Sequence, residues 1–290
     1  MKTRRVAVCA LIVGAMFLGR PAFAVVYDEV EPLNDFGTIN QTNVGANCPG
    51  DGNNYCAPTA TMNSFIYLQN AFPQVYDNDL YVASTTQGYY SGGTFVSTPG
   101  TYYDTDAGLL AQMMLTGACS GTTYSNFIAG KVNYINTYAP GTTYFQGMSL
   151  FANPDGVNWI TSGQAPTAQF LAAMLGQGED TELLIFPAAG IGHVLTLASI
   201  DFNTVTNSGT IDGIDPAGGV YFDYDITVTG GAITFTGGVA GDNDDPNNYT
   251  GYTLGAAVSE SPTIPEPATL SLLLLGGAGI LARRIRRKEA

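Results

Sequence analysis

The sharpest alternation of apolar and polar positions begins at Cys56. Met62, Phe65, Ile66 and Gln69 recur at spacings of three and four, the mark of one face of an amphipathic helix, which predicts a helix over residues 56–71. Pro58 fits its first turn, where a missing N–H costs nothing, and Pro73 stops it. A polar loop precedes the helix, with the turn dipeptides Pro49-Gly50 and Asp51-Gly52. Further helices are predicted over residues 77–82, 107–117, 127–135 and 164–176. Leu109, Leu110, Met113 and Met114 make an inward face, as do Phe170, Leu171, Met174 and Leu175, and Gly176-Gln177-Gly178 ends the last helix. Residues 25–47 read as polar and irregular, and residues 84–103 as loop or a weak hairpin. Strands are predicted over residues 142–145, 181–186, 193–201, 210–214, 220–228 and 232–236. Residues 193–201 are almost continuously apolar, the pattern of a strand buried on both faces. Helices first and an antiparallel meander after predict an α+β fold.

Composition separates the two ends from the body. Residues 1–24 read as a secretory signal, with Lys2, Arg4 and Arg5, an apolar middle, and Ala22-Phe23-Ala24 as the cleavage site. Signal peptidase and the export machinery are therefore expected partners. At the other end, Pro265-Glu266-Pro267 is a stiff break. An apolar stretch over residues 268–282 follows, then a basic tail over 283–288. The stretch is short against the roughly 17–25 residues a spanning helix needs, and it reads as a marginal membrane span whose basic end stays in the cytoplasm. The chain of 290 residues has ten Lys and Arg, but residues 25–282 hold only Lys131, against 23 of the 24 acids. A body of formal charge about −22 repels nucleic acid and anionic lipid. Residues 25–260 are long enough for one domain with its own core. Asp242-Asn243-Asp244-Asp245 is acidic, but Pro246 breaks the EF-hand spacing, so a solvated loop is expected and calcium is the alternative. No repeat, P-loop or dinucleotide motif is present, and no cofactor is implied.

The cysteines bring in chemistry. Cys9 leaves with the signal, and Cys48, Cys56 and Cys119 remain. An exported chain pairs cysteines and an odd one stands out. A Cys48–Cys119 disulfide with Cys56 free is the expectation. At a helix head, the positive end of the dipole favours thiolate, the nucleophilic form. The chain's one histidine, His193, opens the buried strand directly after a Gly-rich turn. Asp215 closes the next strand. If the two strands pair antiparallel, the start of one lies beside the end of the other, and Asp215 would fix the imidazole tautomer. Nucleophile, base and orienting group are the set that thiol catalysis requires.

Two resemblances sharpen these expectations. Ile264-Pro265-Glu266-Pro267-Ala268-Thr269-Leu270, the apolar stretch and the arginines resemble the PEP-CTERM sorting signal, here assigned to residues 261–290. The resemblance implies an exosortase-type transpeptidase as partner and export through the inner membrane of a Gram-negative bacterium. It further implies transient anchoring and delivery to the cell surface or exopolysaccharide matrix. The body resembles the papain-like cysteine peptidases, in wording closest to their C39-like bacterial branch. The matching residues are Cys56-Ala57-Pro58-Thr59-Ala60, Gly192-His193-Val194-Leu195-Thr196-Leu197 and Asp215-Pro216. It implies a papain-like α+β fold, N-terminal helices packed on a C-terminal antiparallel sheet, with hydrolysis or transfer at peptide bonds. Cys56 would be the nucleophile, His193 the base and Asp215 the orienting residue. Ala57 stands where the family has Gly, and Gly50 stands at its usual oxyanion glutamine. Gln41, the one glutamine before Cys56, is then the implied oxyanion donor. The alternative is a surface or matrix protein that keeps the fold without the activity.

Overall fold

The computed structural model describes residues 26–45, 54–91, 94–100, 102–238 and 247–263. Five α-helices lie among them: α1 (Cys56–Ala71), α2 (Pro73–Tyr76), α3 (Thr105–Met113), α4 (Tyr124–Tyr138) and α5 (Ala168–Leu175). Their termini follow the local sequence. Asp104, Thr123 and Thr167 cap α3, α4 and α5 by accepting from the N–H groups of Ala107, Asn126 and Phe170. α1 ends as expected, with Pro73 starting the next short helix. The helix expected over residues 77–82 is not formed. Asp77 and Asn78 take φ of 40° and 65°, and this left-handed pair ends α2 instead.

The strands are β1 (Val26–Val30), β2 (Thr85–Gln87), β3 (Tyr89–Ser91), β4 (Thr94–Val96), β5 (Tyr102–Asp104), β6 (Thr143–Ser149) and β7 (Ile160–Ser162). They continue with β8 (Asp180–Phe186), β9 (His193–Asn203), β10 (Ser208–Asp215), β11 (Val220–Thr229), β12 (Ala232–Gly238) and β13 (Thr253–Pro262). Nine of them form one mixed sheet in the order β1-β9-β10-β11-β12-β13-β6-β7, with β8 pairing both β13 and β9. The path from β8 through β9 to β13 therefore returns to β8. Two small hairpin-like pairs, β2 with β5 and β3 with β4, lie outside it.

This architecture overturns the expected papain-like arrangement. Strand makes up 37% and helix 27% of the structure. The sheet takes in the first described segment, β1, and the last, β13, and it includes the parallel pair β6–β7. Helices are interleaved with it; they are not an N-terminal block packed on a C-terminal antiparallel sheet. The reasons are local. β1 is an edge strand whose residues alternate between exposed and half-buried, so its sequence reads as polar loop. β13 is buried on both faces and rich in small residues (Gly255, Ala256, Ala257 and Ser259), so it shows neither alternation nor a β-branched run.

Both faces of the central strands are covered. Leu184, Val194, Ala198 and Ile214 join one apolar cluster with α1, α3 and α4. Leu183, Ile185, Leu195 and Leu197 join a second with α5, Phe222 and Phe235. The period of two along β8 and β9 sends successive side chains to opposite clusters. β9 reaches α1 directly, where the buried Thr196 hydroxyl donates to Ala60 O at 2.9 Å. The N-terminal segment is strapped over α1 as well. Gly37 N donates to Asn63 O (3.0 Å), and the Asn63 side chain accepts from Ile39 N (2.8 Å) and donates to Ile39 O (3.3 Å).

Candidate active site

Cys56 is the first residue of α1. The loop before it is pinned by Asn54, whose Nδ2 donates to Ala118 O at 2.7 Å. The first turn is closed by the Thr59 N–H and hydroxyl, which donate to Tyr55 O at 3.2 and 2.7 Å. Cys56 is a free thiol. Cys119 is not a free thiol, but Cys48 lies outside the described residues, so its expected pairing with Cys119 stays a proposal.

His193 opens β9, and β9 pairs β10 antiparallel, so the head of one lies beside the foot of the other. His193 Nε2 and Asp215 Oδ1 are 2.7 Å apart. That bond occupies Nε2, and the charges of His193 and Cys56 act directly on each other across the cleft that both residues line. The fold thus brings Cys56 and His193 to one cleft and bonds His193 to Asp215.

The electrostatics of the three are linked. Burial pushes the Cys56 thiol pKa up, but the charge and hydrogen bond of His193 and the Val194 N–H outweigh it and hold the thiol below its ordinary value. Burial pulls His193 down, while the thiolate of Cys56 and the carboxylate of Asp215 raise it to about 10. Asp215, despite burial, is lowered to about 2 by His193, the Ala217 N–H and the Tyr249 hydroxyl. All three shifts favour a thiolate–imidazolium pair backed by a carboxylate.

Two members of this network were not legible in the sequence. Tyr249 Oη donates to Asp215 Oδ2 at 2.7 Å, and its ring stacks on His193 with centroids 5.2 Å apart and planes 18° apart. Asn247 Nδ2 donates to the same Oδ2 at 3.0 Å. They come from a segment without periodicity, 32 and 34 positions beyond Asp215, and no local motif announces them. Ala217 N completes the carboxylate's bonds at 2.7 Å.

Gln41 begins a single 3-10 turn, Gln41–Asn43. Its backbone N–H donates to Pro216 O at 2.8 Å, and Asn40 Nδ2 donates to Gly218 O at 3.3 Å. The turn after Asp215 is thereby locked to the N-terminal segment. Gly219, at φ 65°, is required there, because a Cβ would fall 2.3 Å from Thr38 O. Gln41 therefore sits beside the residue that follows Asp215.

A cleft of about 210 Å³ opens over Cys56 and His193, with Phe151, Phe186, Tyr124 and Thr122 on its walls. Gly192 also lines it and packs so closely on Phe186 that a Cβ there would lie 2.4 Å from the ring. The acidic run of residues 242–245 and the tail residues Pro265, Glu266 and Pro267 lie outside the described residues.

Residues 263–288 match the PEP-CTERM protein-sorting motif. No match was found among curated proteins. The motif marks a chain that is exported, anchored through its C-terminus, processed by an exosortase and sorted to the cell surface. It begins where the sheet lets go: Thr263, just after β13, donates from N to Thr142 O (2.6 Å) and from Oγ1 to Gly141 O (2.9 Å). Among the described residues no helix is long and apolar enough to cross a membrane.

Proposed function

We propose that the exported body is a thiol hydrolase or acyltransferase acting on peptide bonds. The observation that carries this reading is that Cys56, at a helix head, and His193 line one cleft while His193 is bonded to Asp215 behind it. The Cys56 thiolate attacks the carbonyl carbon. His193, protonated in the resting pair, passes its proton to the leaving amine and then takes one from the incoming water or amine. Asp215 holds the ring so that Nδ1 faces sulfur. Free N–H groups at the head of α1 support a developing oxyanion, and Gln41 is the proposed side-chain donor. Residues 1–24 as a cleaved signal, the Cys48–Cys119 disulfide and the exopolysaccharide matrix as destination belong to the same proposal. One observation favours a non-catalytic surface protein instead: Ala57 lines the cleft beside the thiol, where its methyl narrows the approach of a substrate.

An electrophilic thiol probe on the mature protein separates the two. The enzyme reading expects labelling at Cys56 near neutral pH that is lost in His193→Ala. A folded protein that resists the probe favours the non-catalytic reading.

A further inference from the structure

Lys131 is the only Lys or Arg in residues 25–282, and it is fully buried. It projects from α4 with no solvent exposure, between the Phe65 and Phe127 rings at 6.0 and 5.6 Å from their centroids. Nζ is in direct contact with Glu182 Oε2 on β8 and Glu260 Oε2 on β13, both side chains fully buried. Asp180 completes the group, its Oδ1 accepting from Glu260 N at 2.9 Å. Asp180 Oδ2 and Glu182 Oε1 have no hydrogen-bond partner. A surface-sorted protein with one interior amine among three carboxyls is an unusual use of charge. Burying a pair of ions is expensive, and the mutual attraction seldom repays it in full.

We propose that Lys131 and Glu182 condense to an intramolecular amide that ties α4 to β8. The reaction is independent of the thiol site. A proton moves from the ammonium to the Glu182 carboxylate within the ion pair. Neutral Nζ attacks Glu182 Cδ, so the Nζ–Cδ bond forms and the carbonyl opens to a tetrahedral centre. The Glu260 carboxyl gives its proton to the departing hydroxyl, and its other oxygen takes the proton that nitrogen sheds. The Cδ–OH bond breaks and one water leaves. Nothing is oxidised or reduced, and no external reagent enters.

Three features support the step. The reacting atoms are held in contact by two rigid elements, so little ordering remains to be supplied. Burial, against the pull of Lys131, raises the Glu260 carboxyl to about 8, and burial also raises Asp180 well above its ordinary value. Both can then be protonated neighbours that donate. Lys131 itself is kept charged, because the attraction of Glu182 and Glu260 outweighs its burial, so the amine reacts through a minor neutral form and the condensation is slow. Its product removes both charges of the pair and leaves a neutral interior.

The sequence supplies an unusually clean test. Lys131 is the only site for trypsin between residues 25 and 282, and trypsin does not cut after an acylated lysine. The full chain, aged after purification, is denatured, reduced and digested, and the masses are read. The amide predicts a body that survives as one piece, lighter than its sequence mass by one water, with the link mapped to Lys131 and Glu182 after digestion by a second protease. A body of full mass split after Lys131, or a link at any other carboxyl, overturns it.

Discussion

At the scale of single residues, the site is a set of charges that make one another possible. His193 is held at about 10 only because thiolate and carboxylate flank it, and Asp215 at about 2 only because imidazolium, an amide and a phenol face it. Replacing His193 by Ala should therefore cost more than a base. It should also return the thiol to an ordinary or higher pKa, and thiol-dependent turnover should fall on the order of 10²–10⁴-fold. Tyr249→Phe is a finer probe, because the ring still stacks on His193 while the hydroxyl bond to Asp215 is lost. The expected result is an acid limb of Cys56 reactivity displaced upward by about one pH unit, with the protein still folded. An unchanged limb would show that Asn247 and Ala217 suffice.

At the scale of elements, β9 is the piece that matters, since it carries His193 and is bonded through Thr196 to the first turns of α1. Thr196→Val keeps the shape and removes that bond, leaving Ala60 O without the hydroxyl. A loss of about 1 kcal/mol in stability is expected, with slower alkylation of Cys56, and Thr196→Ser should restore both. Chemical denaturation and labelling rates check the pair. β9 was legible beforehand because its continuous apolar run, bracketed by Gly192 and Asp201, has few readings, and strand order alone placed Asp215 beside it. The sheet as a whole was not. β1 reads as loop because an edge strand needs no apolar face, and β13 reads as nothing because a doubly buried strand can be made of Gly, Ala and Ser. Tyr249 and Asn247 escaped for a related reason: their partner is distant in sequence, and a hydrogen bond leaves no periodicity.

At the scale of the whole molecule, the interior is rich in carboxyls whose protons are retained. Burial raises Glu31 to about 9, with the Tyr67 hydrogen bond opposing, and burial raises Glu260 to about 8 with Lys131 opposing. Each has an ordinary value of 4.5. The neutral forms are favoured by the fold, so their contribution is complete below pH 4.5 and is lost as pH climbs through 8 to 9. His193 acts in the same direction, complete below 6.5 and lost through about 10. Asp215 acts oppositely, above 3.8, and its share disappears only as pH falls toward 2. Thermal melting should therefore be highest between about pH 4 and 5 and decline steadily toward pH 9. Glu31→Gln should flatten part of that decline.

The central claim is that Cys56 rests as a thiolate paired with His193. The most direct measurement is the rate of Cys56 alkylation as a function of pH. The expected result is a rate that rises with an apparent pKa below the ordinary thiol value of about 8.5. A single rise centred at or above that ordinary value would contradict it.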